Sequence, residues 1–493
     1  MAERKKITVI GSGLGGLSAA INLSDKFELH VFEKNSYPGG KAGEIRNGQF
    51  RFDSGPSLLT IPAILKDIFK ARGENIDEYL AIKPLENLCR YFYLDGTIVN
   101  GYSSLEKFAK EIENKTSESA ISVKKYFDYS KKIYDITSDI FLYKSLNEFR
   151  TYSNFETIKS ILNLPKIDAF RNVHESNSNF FSDTKVVQLF DRYATYSGSN
   201  PYQAPATLNI IPYVEYVLGG YIAEGGIYAV VNALYKLAEK NGVTFHFNSS
   251  VKKIISENRK VSGINYANQN MEEKLFNAEV VISNADAQFT KENLLNLRDN
   301  YAPEASSSAI VFYWGVEGNY PELDIHNILF SENYKKEFED IFNEKKVPDD
   351  PTIYIYISSK FNKTDAPSGC ENWFVMINTP YDSGQKWTDE ILTTKKKIIR
   401  KIKESLNIDL SGKIKTESYL TPYILSSKTN SYKGSIYGIS SNSRKAAFIR
   451  QRNKSNKYKG LYYCGGSAHP GGGIPLVLQS GKIVSQLINK YEL

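Results

Sequence analysis

Ile7-Thr8-Val9-Ile10-Gly11-Ser12-Gly13-Leu14-Gly15-Gly16-Leu17-Ser18-Ala19-Ala20-Ile21-Asn22-Leu23 is followed by the segment from Phe27 to Phe32 and by Glu33. Ile7 to Ile10 reads as a short buried strand. Leu17 onward reads as a helix with small and apolar residues toward a sheet, and Phe27 to Phe32 as a second strand. Between strand and helix stands GxGxxG, made by Gly11, Gly13 and Gly16. Gly11 permits the tight turn, Gly13 lets a pyrophosphate approach the backbone, and Gly16 lets the helix pack close on the strand. The helix N-terminus offers free N–H groups and a positive dipole end to the phosphates. Glu33 ends the second strand, where a carboxylate accepts the hydroxyls of a ribose. A merely structural glycine turn leaves Glu33 unexplained. Strand, turn, helix, strand and acid together predict a dinucleotide site.

Outward from this unit, the composition excludes several classes. The chain has 493 residues, 41% apolar and 24% charged, an ordinary globular balance with room for more than one domain. The net charge of +7 is mild over this length: it gives no nucleic-acid footprint and suits a loose encounter with an anionic membrane face. Aromatic residues make up 13%, with 34 Tyr and 26 Phe, which fits large apolar pockets. Cys89, Cys370 and Cys464 are too scattered for a disulfide framework or a CxxC pair, and the five histidines show no HxxxH or HExxH spacing, so no metal site is expected. No signal peptide fits the Met-Ala-Glu-Arg-Lys-Lys start, and no apolar run is long enough to span a bilayer. The expected compartment is the cytoplasm.

The following motifs select the cofactor. Glu33-Lys34-Asn35 leads into Pro38-Gly39-Gly40-Lys41, an acid, a short loop, then GG and a base. This resembles the second fingerprint of glutathione-reductase-type FAD proteins, with Lys41 where the relatives usually carry Arg; a lysine meets a phosphate as a point charge and not as a planar fork. Phe52-Asp53-Ser54-Gly55-Pro56-Ser57 resembles the F-D-x-G-P segment of phytoene-desaturase-like flavoproteins. At the far end, Leu461 to Cys464 reads as a buried strand broken by Gly465-Gly466. The turn Pro470 to Gly473 then enters a helix through Ile474-Pro475, with helix expected from Leu476 onward. The turn places N–H groups where an anionic flavin edge gains from them. It resembles the H-P-G-x-G-I-P motif that closes the FAD site in carotenoid desaturases, although that family usually has an acid or Ala where Gly465-Gly466 stand. His469 reads either as a base near the flavin or, the preferred reading, as a side chain that orients the Pro470 turn by a hydrogen bond. His246 reads as a surface or interface residue.

From Gly11 to Gly481 the whole chain resembles the carotenoid (phytoene) desaturase family of FAD flavoproteins. Asp191-Arg192-Tyr193-Ala194-Thr195-Tyr196-Ser197-Gly198-Ser199-Asn200-Pro201 and the run Ile211 to Glu215 make it most similar to the bacterial 1-hydroxycarotenoid 3,4-desaturases (hydroxy-gamma-carotene desaturase). The resemblance implies an α/β fold: a Rossmann-type FAD-binding domain of the glutathione-reductase and amine-oxidase kind with an inserted α+β substrate domain. The FAD-binding pieces are expected at 1–80, 220–290 and 455–493, and the substrate-binding, membrane-facing insertions at 81–219 and 291–454. By the same resemblance, Val251 lies by the adenine through its backbone, and Asn284-Ala285 return the chain to the flavin side.

A carotene carries no heteroatom at the reacting bond, so the flavin must do the hard chemistry while the protein orients it. A hydride leaves an allylic carbon for flavin N5, and a proton is then lost from the neighbouring carbon. The resulting polyene cation is acidic, so a weak base suffices. Asp191, Glu215 and, as orienter, Arg192 are the candidates, and a salt bridge is the alternative reading of all three. A hydroxylated substrate needs a polar group in the tunnel to receive its hydroxyl. The expected partners are a carotenoid, oxygen or a quinone as electron acceptor, and the inner face of the cell membrane. Ile158 to Ile167 and Phe141 to Leu146 have apolar residues with spaced Lys that suit an interface. The alternatives are a phytoene desaturase, an isomerase or an oxygenase of the same fold. A non-enzymatic, isoprenoid-carrying escort-type protein is a further one.

Overall fold

In the computed structural model, which describes residues 4–145, 167–297, 303–443 and 450–493, the first strand forms over Lys6–Ile10. It pairs in parallel with Glu28–Phe32 on one side and Val280–Ser283 on the other. Thr244–His246 extends one edge and Leu461–Tyr463 the other, also in parallel. The five-stranded sheet thus gathers segments far apart in the sequence. Ile7, Val9, Val31, Val280 and Ile282 are fully buried in it, as a parallel sheet covered on both faces requires. Each such side chain contributes about 1.5–3 kcal/mol on leaving water.

One face of this sheet is covered by the helices Leu14–Leu23, Gly226–Lys240 and Ile474–Tyr491, which share a single apolar core with it. The last helix starts two residues before the sequence predicts, because Pro475 fits a first helical turn, where its missing N–H costs nothing. Glycine sets how closely the layers approach. A Cβ at Gly481 would stand 2.4 Å from the Gly15 carbonyl oxygen and 2.7 Å from the Ala19 nitrogen, and one at Gly16 would stand 2.3 Å from the Gly11 carbonyl oxygen. The other face packs on an antiparallel sheet of Ser250–Glu257, Lys260–Ala267 and Glu273–Asn277. There Phe32 meets Tyr266, Phe276 and His246, and His246 also hydrogen-bonds His30 at 3.1 Å. His246 is therefore an interface residue between two sheets.

The second layer is a seven-stranded sheet in the order Ile414–Leu420, Ser308–Glu317, Cys370–Thr379, Ile353–Tyr356, His326–Leu329, Asn87–Phe92 and Ile98–Tyr102. All its pairs are antiparallel except His326–Leu329 with Asn87–Phe92. Strands from both insertions therefore build one sheet. The helices Leu105–Lys115 and Ala120–Tyr143 pack beside it through Phe108, Ile112, Tyr126 and Phe127. The stretch from Ile158 lies outside the described residues up to Ile167, as does Leu146.

The glycine contacts separate two kinds of cost. Gly481→Ala is expected to destabilise by about 3 kcal/mol through overpacking, and to loosen flavin binding because the displaced neighbour carries Gly15. Gly242, by contrast, has a positive φ (79°) and open space where a Cβ would go. Gly242→Ala is expected to cost only about 1–2 kcal/mol, from backbone strain alone, with flavin retention unchanged. Urea unfolding together with flavin absorbance measures both.

Candidate active site

Helix N-termini leave four N–H groups without partners inside the helix. Among the described residues, three helices start on a glycine, which has no side chain to cap them: Gly13, Gly225 and Gly473. Asp53 compensates the Gly225 start from a distance. Its carboxylate accepts from the Tyr228 N–H at 3.1 Å and from Arg51 at 2.7 Å, and Gly226 leaves room for it. This accounts for Asp53 in the F-D-x-G-P segment as a structural residue. The other two starts open on a cavity of about 710 Å³.

At one end of that cavity lies the glycine cradle. Gly11 (φ 92°) and Gly13 line it together with Glu33, Lys34, Gly40, Lys41 and Val251. The Glu33 carboxylate is buried. It accepts from the Ser12 N–H and hydroxyl, both at 2.9 Å, and from the Asn35 N–H and amide at 2.9 and 2.8 Å. These bonds hold it at the end of its strand. Gly15, Gly16 and Gly465 are not on the wall. They stand behind it, around Asn284: a Cβ at Gly15 or Gly465 would lie 2.7 or 2.6 Å from the Asn284 amide oxygen. Asn284 itself reaches the wall. Lys34 donates to the Ser427 carbonyl at 2.7 Å and to Asn430 at 2.8 Å.

Farther in, Lys41, Asp286 and Arg450 form a charged group on the wall. Lys41 donates to the carbonyls of Ser435 and Ile436 at 3.0 and 2.6 Å. Burial lowers it to about 8, with Asp286 opposing the shift. Arg450 donates to the Gly466 carbonyl at 2.7 Å and is lowered by burial to about 10, again opposed by Asp286. Burial in turn raises the Asp286 carboxyl against the pull of Lys41. Gly55, Pro56, Ser57, Gly466, Gly473, Ile474 and Pro475 complete the wall here.

The opposite wall comes from the insertions. Arg192 and Glu215 line it and form a buried pair at 3.3 Å. Glu215 also accepts from the hydroxyls of Tyr193 at 2.8 Å and Tyr196 at 2.5 Å, and Arg192 donates to Tyr91 at 2.8 Å. The guanidinium lies 4.3 Å from the centre of the Tyr193 ring, a cation–π contact. Asp191 does not reach the wall. It is turned into the protein, bonded to His174 at 2.7 Å and Asn177 at 2.8 Å. Of the three neighbouring groups expected from the sequence, Arg192 and Glu215 lie on the cavity wall and Asp191 does not, because it ends a helix on its packed side. His469 is buried, and its Nε2 bonds the Lys144 carbonyl at 2.9 Å instead of its own turn.

Asp286, Arg450, His326 and Tyr354 are wall residues that carried no sequence motif. Asp286 lies two positions past Asn284 and was within reach of the motif reading. Arg450 follows a stretch with no pattern. His326 and Tyr354 stand on strands whose apolar alternation marks them only as core.

Glycine cradle, two helix starts aimed at one cavity, an acid at the adenosine end and cations inside fit FAD, and these residues would hold it. The fold and site are those of a flavin-dependent oxidoreductase. The chain belongs to the flavin-containing amine oxidoreductase family, whose model matches residues 14–489, and FAD is its cofactor. It is 45% identical to a 1-hydroxycarotenoid 3,4-desaturase of Flavobacterium sp. (strain P99-3), over 98% of this chain and 99% of that one. It is 32% identical to a 4,4'-diapolycopene oxygenase of Methylomonas sp., over 99% and 98%. The fold matches an oxidoreductase from Methanosarcina mazei with TM-score 0.62 at 15% identity, covering 98% of this chain and 100% of that one. A redesigned putrescine oxidase matches with TM-score 0.63 at 10% identity, covering 99% of each.

Two outcomes are expected. Glu215→Gln leaves the Arg192 charge uncompensated in a buried place and should cost about 3–5 kcal/mol in denaturant unfolding. Burial lowers both His326 and His469 to about 4. An unfolded chain protonates them near pH ~6.5. Between these values the unfolded state holds more protons, so the stability present above the upper value is lost as pH falls toward the lower. His326→Phe should therefore reduce proton uptake on unfolding at about pH 5.5 by about one proton, read from the slope of unfolding free energy against pH.

Proposed function

We propose that the protein is an FAD-dependent carotenoid desaturase that places a C-3,4 double bond in a 1-hydroxylated, gamma-carotene-type carotenoid. The observation that carries this reading is the end-to-end identity of 45% to a desaturase of that name. The cavity supports it physically. On the substrate side the wall includes Ile210, Ile211, Val214, Val311, Phe374, Met376 and Leu420, which suit a chain of conjugated carbons. Removing two hydrogens is a two-electron oxidation, and FAD when bound supplies the hydride acceptor. What remains for this chain is orientation, exclusion of water and receipt of a proton. Glu215, held in place by three donors, is the carboxylate on this wall that can receive the proton. A polyene cation is acidic enough to need nothing stronger.

The same reading makes the protein peripheral to a membrane, because its substrate dissolves in lipid. No helix among the described residues is long and apolar enough to cross a bilayer. Tyr143 and Val217 are exposed at 37% and 42%, and their chain neighbours Leu142 and Val214 line the cavity. This supports an opening there toward lipid on the inner face of the membrane. Oxygen or a membrane quinone then reoxidises the flavin.

The test gives purified protein and FAD to liposomes holding either phytoene or a 1-hydroxylated monocyclic carotene. Loss of two hydrogens from the hydroxylated carotene alone is the expected result. Repeated loss from phytoene would mean an upstream desaturase, unchanged mass an isomerase, and added oxygen an oxygenase like the Methylomonas relative. A protein that holds no flavin would point to the escort-type reading. Val217→Glu should lower co-sedimentation with these liposomes and leave the flavin spectrum unchanged.

A further inference from the structure

Three of the polar side chains on the substrate-side wall, Glu215, Tyr196 and Tyr354, have partners within the protein, as does Ser57 on the cofactor side. His326 does not use all of its bonding capacity. His326 begins the strand His326–Leu329, opposite Tyr356 in register. It stacks on Tyr356 at 4.9 Å between centroids with 10° between planes, so it is fixed in orientation. Nδ1 bonds the Tyr354 hydroxyl at 2.7 Å, and that hydroxyl bonds Ser57 at 2.6 Å. Nε2 is buried and has no hydrogen-bond partner among the described residues, although the residue is only 4% exposed and lines the cavity. A buried polar atom left without a partner is costly, and native structures keep few of them without a reason.

We infer that His326 is the residue that receives the hydroxyl of the substrate and so sets the specificity for a hydroxylated end group. The inference rests on the hydroxycarotenoid reading and gives that reading a residue. A hydroxyl both donates and accepts, so it satisfies Nε2 in either tautomer of the ring. Burial, reinforced by the Arg192 charge and opposed by Asp324, keeps the imidazole neutral, as a partner for an uncharged alcohol should be. Position agrees with chemistry. In a 1-hydroxylated carotenoid that gains a 3,4 double bond, one carbon separates the hydroxyl-bearing carbon from the reacting bond. The group that binds the hydroxyl must then lie beside the group that positions that bond, not at the far end of a tunnel. Ser57, which closes the relay to His326, directly follows Gly55 and Pro56 on the cofactor side of the same cavity. One contact then fixes both which end group enters and which carbons are presented.

The experiment compares wild type, His326→Phe and Tyr354→Phe on a 1-hydroxylated carotene and on the same carotene without the hydroxyl, in liposomes with FAD. Phe preserves the stack on Tyr356. Wild type is expected to prefer the hydroxylated carotene by about 100-fold in kcat/KM. His326→Phe is expected to lower kcat/KM on it by about 30- to 100-fold while changing the deoxy carotene by less than about threefold, so the preference falls toward one. Flavin absorbance confirms that the variant is loaded. A preference that survives His326→Phe overturns the inference and leaves the hydroxycarotenoid reading standing. A wild type with no preference overturns that reading, and the inference with it. If His326→Phe does not hold flavin, Tyr354→Phe decides. It keeps the ring but frees the Nδ1 side, and an unchanged preference there overturns the inference as well.

Discussion

The side chain of Asn284 occupies the space that three glycines leave open. Gly13, Gly15 and Gly465 come so close that a Cβ on any of them would meet its amide within 2.8 Å. Its Nδ2 lies 3.4 Å from the Gly11 carbonyl oxygen. The turn after the first strand, the end of the strand Val280–Ser283 and the break after Leu461–Tyr463 therefore converge on one amide. These segments come from widely separated parts of the chain. The cradle forms only when all are in place, so the fold of the cofactor domain and its binding competence are a single event. The close approach of Gly481 to Gly15 extends the same constraint to the C-terminal helix. That helix starts on the cavity at Gly473, so the backbone contact behind the cradle also aims the second helix start.

The two sides of the cavity handle charge differently. On the cofactor side, Lys41 and Arg450 spend their donors on backbone carbonyls, and Asp286 lies between them. Positive charge is concentrated there, where an anionic cofactor gains from it. On the substrate side, Arg192 and Glu215 neutralise each other inside a ring of tyrosines, and the wall shows hydroxyls and aromatic faces. An uncompensated carboxylate facing a hydrocarbon would cost several kcal/mol in desolvation. Pairing with Arg192 and the tyrosine hydroxyls offsets part of that cost.

How much of this was legible in the sequence depends on the range over which each signal acts. Gly11, Gly13, Gly16 and Glu33 are local: turn, helix start and strand end follow one another, and each residue has a steric or electrostatic job that a short window reveals. The terminal motif around Gly473 to Pro475 is local too. The mixed sheet was half legible. Its strands showed as apolar runs, but that Asn87–Phe92 lies beside His326–Leu329 depends on pairing across distant chain, which periodicity does not encode. Asp191 looked equivalent to Arg192 because they are adjacent. A helix turns successive side chains by about 100°, which is enough to send one into the core and the other to the wall. His469 looked like part of its own turn, and only the arrival of Lys144 from a distant helix shows what it bonds.

The same reasoning bears on how one fold yields desaturases and oxygenases that align with this chain from end to end. The cradle has little freedom to change: a Cβ at Gly13, Gly15, Gly16 or Gly465 would stand less than 3 Å from a neighbour, and at Gly15 and Gly16 that neighbour includes backbone. The Arg192–Glu215 pair is also constrained, since altering one member strands the other. A residue such as His326 is different. It is held by stacking and a single relay bond, and its Nε2 has no hydrogen-bond partner among the described residues. Replacing it would leave the fold, the cofactor site and the apolar track for the polyene in place, and would change only what the wall offers to the end of the substrate. Divergence in chemistry within such a family is therefore expected to concentrate on buried wall positions with unused bonding capacity, because these are the positions where function and fold stability are least coupled.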